Sequence, residues 1–303
     1  MRVAVIGPGA LGCLFASVLQ EGGLPVTLLD HRPERAERLR REGLRLREGP
    51  AGKARRVKLA CTTAPRHIAG VGLVILCTKA QHTAAALGPL AARLGPECLV
   101  WTVQNGLGNL EVVEAAVGPR RALGGTTGQG AYWDNRGALV HAGRGPTRLG
   151  AAAGPPDARL LALARTLTGA GLPVEPVADV RRELWLKAVV AASALPLTAL
   201  FRVTNGELAA RAELRRAAEA LLDEALEVAA RQGLALAREE ALARLWDVVG
   251  ASAANRSSML SDVLAGRETE VEALNGALAR LGPAPRHALV AELVRALHPR
   301  GVP

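Results

Sequence analysis

The amino-acid sequence predicts an α/β fold in which a doubly wound parallel sheet is followed by an all-helical C-terminal domain. In the first half of the 303-residue chain, short apolar runs at residues 72–77 and 98–102 alternate with helical stretches, which is typical of a parallel sheet covered on both faces. Residues 121–150 are richer in glycine and are expected to form antiparallel strands. Beyond residue 178 the apolar residues follow helical spacing. We therefore expect domains at residues 1–177 and 178–303.

A glycine-rich turn joins the first predicted strand to the first predicted helix. The strand at residues 2–6 runs directly into Gly7-Pro8-Gly9-Ala10-Leu11-Gly12. In a dinucleotide site the first glycine permits a tight turn, the second lets a pyrophosphate approach the backbone, and the third lets the helix lie close to the strand. Asp30 ends the next strand, about where such a site carries an acid that holds a ribose hydroxyl. The pattern predicts a Rossmann-type dinucleotide site, with plain strand–turn–helix packing as the alternative.

Composition argues against several other classes of function. The net charge is +10, but the arginines are interleaved with glutamates, which favours a basic solvated surface over nucleic-acid binding. The four cysteines lack metal-site spacing and indicate buried small residues in a reducing compartment. Residues 186–201 are apolar but contain Lys187 and Pro196, so a buried helix is expected rather than a membrane span. With no signal peptide expected either, the sequence predicts a cytoplasmic protein with no metal, membrane or nucleic-acid partner.

Polar segments follow two more of the predicted strands. Thr78-Lys79 comes after the strand at residues 72–77, and Gln104-Asn105-Gly106 comes after the strand at residues 98–102. Ligands of open parallel sheets bind at the carboxyl ends of the strands. The Asn105 amide both donates and accepts, which suits a nicotinamide carboxamide or a substrate oxygen. A turn residue that tolerates an unusual backbone is the alternative for Asn105.

Lysine is rare in this chain, and one lysine lies in its most apolar helix. Arginine cannot lose its proton in a protein, whereas a desolvated lysine can. Lys187 must find a partner or a role in such a setting, and a side chain that reaches water is the alternative. Glu270 is expected on a helix with apolar neighbours and is a second candidate for a buried charge, with a solvated glutamate as the alternative. The 38 Lys and Arg residues include only four lysines: Lys53, Lys58, Lys79 and Lys187.

Taken together, these segments resemble the ketopantoate reductases (2-dehydropantoate 2-reductases). The resemblance covers nearly the whole chain and keeps the order of the motifs. Besides the glycine turn and Asn105-Gly106, the matching segments are Thr78-Lys79-Ala80, Gly125-Thr126-Thr127 with Ala131, Glu183-Leu184-Trp185-Leu186-Lys187, Pro196-Leu197-Thr198-Ala199, Asn205-Gly206-Glu207-Leu208, Asn255-Arg256-Ser257-Ser258-Met259, and Thr269-Glu270 with Asn275-Gly276.

The resemblance implies a reduction of ketopantoate to pantoate in pantothenate biosynthesis. NADPH would deliver a hydride to the ketone carbon, Lys187 would donate the proton to the oxygen, and Glu270 would balance the lysine charge. The implied cofactor-binding residues are Gly7, Pro8, Gly9, Ala10, Leu11, Gly12, Asp30, Arg32, Lys79, Asn105, Ala131 and Glu270. The implied substrate-binding residues are Asn105, Lys187, Asn205, Asn255 and Ser258. A homodimer is left open.

Two departures from the family pattern leave alternatives open. The family has asparagines four and eight residues after its catalytic lysine, where this chain has Ala191 and Leu195. The chain could therefore reduce another branched 2-keto acid, or it could bind a dinucleotide without catalysis. Asp30 favours NAD, whereas Arg32 and Arg35 suit the 2′-phosphate of NADP. We expect NADP(H), with NAD(H) as the alternative.

Overall fold

The computed structural model describes residues 1–297, which divide into two compact units. The first unit contains residues 1–104 and 109–181. The second contains residues 105–108 together with the chain from residue 182 onward. The short turn at residues 105–108, which follows a strand of the predicted sheet, thus groups with the helical unit and not with the expected first domain.

An eight-stranded sheet forms the centre of the first unit, and its strand order is β12-β11-β8-β7-β6-β1-β2-β5. Neighbouring strands are parallel except for β8 and β11. The strands of this sheet are β1 (Val3–Ile6), β2 (Val26–Leu29), β5 (Ala60–Thr62), β6 (Leu73–Leu76), β7 (Leu99–Thr102), β8 (Ala122–Thr127), β11 (Thr147–Ala151) and β12 (Val174–Pro176). The predicted doubly wound parallel sheet is confirmed.

The winding direction reverses between β1 and β6, since the chain builds β1, β2 and β5 on one side and β6, β7 and β8 on the other. Ile6 is aligned with both Leu29 and Leu76, and Leu76 with Thr102. The glycine turn, Asp30, Thr78 and Gln104 therefore leave the sheet at one edge. Such a reversal point is where open α/β sheets bind their ligands.

The central strands of the larger sheet are buried inside the first unit because their side chains are apolar. Every residue of β1, β6 and β7 is buried, as expected for strands that are covered on both faces. Trp101 on β7 stacks on Phe15 with 6.1 Å between the ring centroids, and both are fully buried. The helices of this unit are α1 (Ala10–Glu21), α2 (Pro33–Glu42), α3 (Thr83–Ala91), α4 (Asn109–Val117) and α5 (Ala158–Gly169).

A second, four-stranded sheet belongs to the same unit, in the order β4-β3-β10-β9. The antiparallel pairs β3–β4 and β9–β10 are joined by the parallel pair β3–β10. The predicted antiparallel strands at residues 121–150 are thus confirmed, although they are shared between the two sheets. The strands are β3 (Leu44–Glu48), β4 (Ala54–Val57), β9 (Gly130–Trp133) and β10 (Leu139–Gly143).

The second unit is built from helices around the 22-residue helix α6 (Val180–Phe201). Within residues 1–297, α6 alone has the length and composition of a membrane span, but 61% of its most apolar window is buried inside the protein. The buried face of α6 joins the apolar core of this unit. The remaining helices are α7 (Asn205–Ala210), α8 (Ala212–Arg231), α9 (Arg238–Ala251), α10 (Ser258–Leu264), α11 (Asn275–Leu281) and α12 (Pro285–Ala296).

Candidate active site

The glycine turn has the geometry that a dinucleotide pyrophosphate requires. Gly7 has φ +93°, and a Cβ there would lie 2.7 Å from the backbone nitrogen of Thr78. A Cβ on Gly12 would lie 2.1 Å from the carbonyl oxygen of Gly7, so both glycines are needed by the fold. Gly9 differs, because a Cβ there would meet no atom within 4 Å. Gly9 begins α1 without a side-chain cap, which leaves open space at a helix N-terminus that attracts phosphate.

Gly9→Ala is therefore expected to weaken cofactor binding without destabilising the protein. The added methyl group meets no protein atom, and φ −71° suits alanine, so Tm should stay unchanged. The dissociation constant for NADPH should rise by about tenfold or more, which is about 1.4 kcal/mol of binding free energy. Gly12→Ala is the matched control and should lower Tm. A fluorescence titration with Gly9→Ala that shows unchanged NADPH affinity would contradict this assignment.

Asp30 is buried, and both of its carboxylate oxygens accept hydrogen bonds from the protein. The Arg35 guanidinium donates to Oδ2 at 2.5 Å and to Oδ1 at 2.6 Å, and the Arg32 backbone N–H donates to Oδ1 at 3.0 Å. Burial alone would raise the pKa of Asp30, but the hydrogen bonds from Arg35 and Arg32 hold that pKa below its ordinary value. A charge-neutralised Asp30 repels a nearby phosphate far less than a free carboxylate would. This pairing of Asp30 with Arg35 was not predicted from the sequence.

A cavity of about 590 Å³ lies beside the glycine turn in the first unit, and its lining is strongly basic. Pro8 of the turn and Trp133 of β9 border it, and Glu42 is the one acidic residue among those that line it. Such a concentration of guanidinium groups favours a ligand with more than one negative charge. The lining arginines are Arg32, Arg35, Arg38, Arg45, Arg56 and Arg136.

Gln104 connects the two polar segments that follow β6 and β7. Its side-chain Nε2 donates to the Thr78 carbonyl at 2.9 Å and lies 2.7 Å from Oγ1 of Thr83. Its Oε1 accepts from Thr102 at 2.9 Å. Gln104 is buried and fixes the segment in which Lys79 directly follows Thr78. No role was predicted for Gln104, although a polar residue two positions after a buried strand was the available signal. Ala131 lies on β9, opposite His141, in the smaller sheet.

In the second unit, the turn at residues 105–108 is bound to the segment that carries Glu270. Glu270 directly precedes a single 3₁₀ turn at Val271–Ala273 and does not lie on the predicted helix. The Asn105 side chain donates from Nδ2 to Oε2 of Glu270 at 3.1 Å, and the Leu107 N–H donates to the carbonyl of Ala273 at 2.9 Å. Gly106 has φ +91°, and a Cβ there would lie 2.6 Å from Ala273. The predicted site residues Asn105 and Glu270, 165 positions apart in sequence, are thus in direct contact.

Lys187 lies on α6 and interacts electrostatically with the same Glu270. Desolvation of the ammonium group lowers the pKa of Lys187 from 10.5 to about 8, the Glu270 carboxylate opposes that shift, and Arg244 adds to it. An amine with this pKa exchanges its proton readily near neutral pH, which suits a general acid. Within the helical unit, Glu270 is therefore connected to both predicted partners: it accepts a hydrogen bond from Asn105 and its charge acts on Lys187.

The other predicted substrate residues form a separate set of contacts. The Asn205 backbone N–H donates to the carbonyl of Asn255 at 3.0 Å, and the Asn205 side chain donates to Oγ of Ser252 at 2.8 Å. Ser257 caps α10, since Oγ of Ser257 accepts from the N–H of Leu260 at 3.0 Å. Ser258 is the exposed first residue of α10. Substrate binding by Asn205, Asn255 and Ser258 stays a prediction.

Comparison with known proteins assigns the chain to a family. Residues 3–154 match the family model of ketopantoate reductase PanE/ApbA, and residues 179–298 match that of its C-terminal part. The chain belongs to the ketopantoate reductase family. The 2-dehydropantoate 2-reductase of Halobacterium salinarum is 37% identical over 92% of this chain and 91% of its own length. That of Archaeoglobus fulgidus is 36% identical over 93% of this chain and 90% of its own length.

Solved structures with the same fold cover almost the entire chain. The PanE/ApbA family ketopantoate reductase from Ralstonia eutropha JMP134 has a TM-score of 0.88 at 26% identity, with 98% of both chains covered. A D-mandelate dehydrogenase in a ternary structure with NADH and anilino(oxo)acetate has a TM-score of 0.90 at 25% identity, again with 98% of both chains covered. The predicted family resemblance is confirmed, and this fold occurs in proteins that differ in their named substrates.

The Lys187 face of α6 is apolar beyond the lysine. Ala191 and Leu195 follow Lys187 at four-residue steps, so the three side chains share one helix face. All three are partly buried, and Ala191 and Leu195 pack against the core of the helical unit. The family pattern described above has asparagines at these two positions. This chain therefore lacks two amides on the helix face that carries its candidate acid.

Proposed function

We propose that this protein is an NADPH-dependent 2-keto acid reductase that reduces ketopantoate to pantoate. The observation that carries the proposal is the connection of Glu270 to both Lys187 and Asn105 in a chain of the ketopantoate reductase family. NADPH, when bound, would supply the hydride to the ketone carbon. Lys187 donates a proton to the ketone oxygen as negative charge develops there, and its ammonium stabilises that charge. Glu270 favours the charged form of the lysine before the transfer.

The first unit supports NADPH as the cofactor. Gly9 leaves space at the N-terminus of α1 for the pyrophosphate. Arg35 neutralises Asp30, which would otherwise oppose a 2′-phosphate. The arginines that line the cavity beside Pro8 would hold the negatively charged adenosine side of the cofactor. NADH stays an alternative, because the structurally similar D-mandelate dehydrogenase was solved with it.

A second candidate function is the reduction of a different 2-keto acid. Ala191 and Leu195 make the helix face beside Lys187 apolar. An apolar face cannot form a hydrogen bond with a substrate hydroxyl. The likeness to D-mandelate dehydrogenase points the same way. A protein that binds the dinucleotide without catalysis is the third candidate.

We expect NADPH oxidation by the purified protein to separate these candidates. Ketopantoate should be reduced with a higher kcat/KM than either of two comparison substrates. Trimethylpyruvate is ketopantoate with hydrogen in place of the hydroxyl group, and phenylglyoxylate carries an aromatic ring. A higher kcat/KM on one of these would favour the second candidate. NADPH binding without turnover of any keto acid would favour the third. NADH in parallel assays tests the cofactor.

The rate of reduction is expected to fall as pH rises through about 8, because Lys187 must carry the proton that it donates. Oxidation of the hydroxy acid in the reverse direction should rise over the same range. Glu270 raises the pKa of Lys187, so Glu270→Gln should move both transitions to lower pH. Profiles of kcat between about pH 6 and pH 10 measure this shift. Glu272→Gln is the matched control, since Glu272 is an exposed residue paired with Arg280 and Arg295. An unmoved profile in Glu270→Gln would contradict the pairing.

We also propose a cytoplasmic enzyme that acts on a small-molecule keto acid without a nucleic-acid or membrane partner. Residues 1–177 would form the cofactor domain, and residues 178–303 would form the substrate domain. We propose a homodimer as its assembly, which light scattering of the purified protein would detect.

A further inference from the structure

Helix α6, which carries Lys187, contains a proline. Pro196 lies inside the helix and has no N–H to donate to the carbonyl four residues earlier. That carbonyl belongs to Ala192, which has no exposed surface. A buried carbonyl that loses its helical donor needs another one, because water cannot reach it.

Asn275 supplies the missing donor. Its side-chain Nδ2 donates to the Ala192 carbonyl at 2.9 Å. Asn275 is the first residue of α11 and is fully buried. Its Oδ1 makes no hydrogen bond within the part of the chain that the structure describes. An unpaired buried oxygen destabilises the folded protein, so the hydrogen bonds from the two N–H groups of the Asn275 amide must offset that cost.

The second amide hydrogen of Asn275 is fixed by His287 on α12. Nδ2 of Asn275 lies 2.8 Å from Nδ1 of His287, and Nε2 of His287 lies 2.9 Å from the carbonyl of Leu221. A carbonyl only accepts, so Nε2 carries the hydrogen and Nδ1 accepts from Asn275. Burial lowers the pKa of His287, which agrees with a neutral ring. A chain of three hydrogen bonds thus runs from α8 through His287 and Asn275 to α6.

The spacing of these residues connects them to Lys187 and Glu270. Ala192 lies five residues after Lys187, and Asn275 lies five residues after Glu270. The hydrogen bond from Asn275 to Ala192 therefore joins the two segments that carry the two charges. The same Glu270 segment holds the Asn105 turn through Ala273. The buried Asn275 amide thus links the helix that carries Lys187 to the segment that carries Glu270 and, through that segment, to the turn that carries Asn105.

We propose that Asn275 and His287 are positioning residues. Asn275 replaces the N–H that is missing at Pro196, and His287 fixes the Asn275 side chain. Together they hold α6 in place, so that the separation between Lys187 and Glu270 stays constant. The catalytic part of this inference rests on the proposed function. The structural part, a donor from α11 in place of the proline N–H, does not. A misplacement of about 1 Å at a reacting group costs up to about 100-fold in rate, so a loosened α6 should reduce turnover measurably.

The test is a double-mutant cycle between Asn275→Leu and Pro196→Ala. Asn275→Leu removes the donor and should lower kcat by about 10–100-fold, with the NADPH dissociation constant within about twofold of the wild type. The kcat profile should also move on the pH axis, because the Lys187–Glu270 distance changes. Pro196→Ala restores a backbone N–H for Ala192 and alone should keep nearly full activity. The double variant should therefore regain most of the lost kcat. All rates are measured well below Tm.

The outcomes separate positioning from plain stability. A merely structural role would lower Tm in Asn275→Leu but leave kcat and the pH profile of the folded protein unchanged, which would overturn the proposal. A double variant no more active than Asn275→Leu would overturn it as well. If Asn275→Leu fails to fold, His287→Leu takes its place with the same readouts. His287→Leu should show a smaller loss, and a wild-type kcat and pH profile would overturn the proposal.

Failure of the proposed function would be recognised separately. If the wild-type protein reduces no keto acid, thermal unfolding of the same four proteins still tests the hydrogen bond. The loss of Tm caused by Asn275→Leu should then be smaller in the Pro196→Ala background. Strictly additive changes of Tm would show that the Asn275 donor does not replace the proline N–H.

Discussion

Replacement of Lys187 by alanine is expected to lower kcat for keto acid reduction by about 10²–10⁴-fold, the range that a positioned general acid contributes. The amine is desolvated, interacts with Glu270, and has a pKa of about 8, so it can give up its proton near neutral pH. Affinity for NADPH should change little, because the glycine turn and the arginine-lined cavity belong to the other unit. The effect should therefore appear in kcat rather than in cofactor binding.

Three companion measurements sharpen this prediction. Lys187→Arg keeps a positive charge but cannot release its proton, so it should be nearly as inactive as the alanine variant. Added methylamine should restore part of the activity of Lys187→Ala, since it returns a proton donor of the same kind. Lys58→Ala, at an exposed lysine of the first unit, should behave as the wild type. A Lys187→Ala protein with near-normal turnover would refute the acid assignment.

The glycine turn shows what a sequence can specify about a site. Strand, glycines and helix are consecutive, so the roles of Gly7, Gly9 and Gly12 follow from local backbone geometry. The structure bears out that geometry, with clashes at two positions and open space at the third. The doubly wound sheet was predictable for the same reason, because each βα unit has its own periodicity.

Contacts between distant segments were not predictable in this way. The neutralisation of Asp30 depends on which way Arg35 points from α2, and the Asn105–Glu270 contact joins residues 165 positions apart. Lys187 was identified from lysine usage and its apolar setting, but the donor that replaces the Pro196 N–H lies on a helix almost 80 residues later. No periodicity encodes such pairings, since they arise only when helices pack. The grouping of residues 105–108 with the helical unit is a further case.

Asparagines introduced at positions 191 and 195 are expected to change which keto acid the enzyme prefers. Ala191→Asn combined with Leu195→Asn adds two amides to the α6 face that carries Lys187. We expect the ratio of kcat/KM for ketopantoate to that for trimethylpyruvate to rise by about 10–100-fold, which corresponds to one or two hydrogen bonds to a buried hydroxyl. The two substrates differ only in that hydroxyl, so the ratio cancels changes in the acid or the cofactor.

Two controls separate hydrogen bonding from altered packing. Leu195→Ala removes the apolar side chain without adding an amide, and it should lower Tm while leaving the ratio nearly unchanged. Leu200→Asn adds an amide to the same helix at another partly buried position and should not raise the ratio. If the double variant also leaves the ratio unchanged, the hydroxyl is not recognised on this face of α6. Ala191 and Leu195 would then be neutral packing changes, and the preference for ketopantoate would have to arise from other side chains.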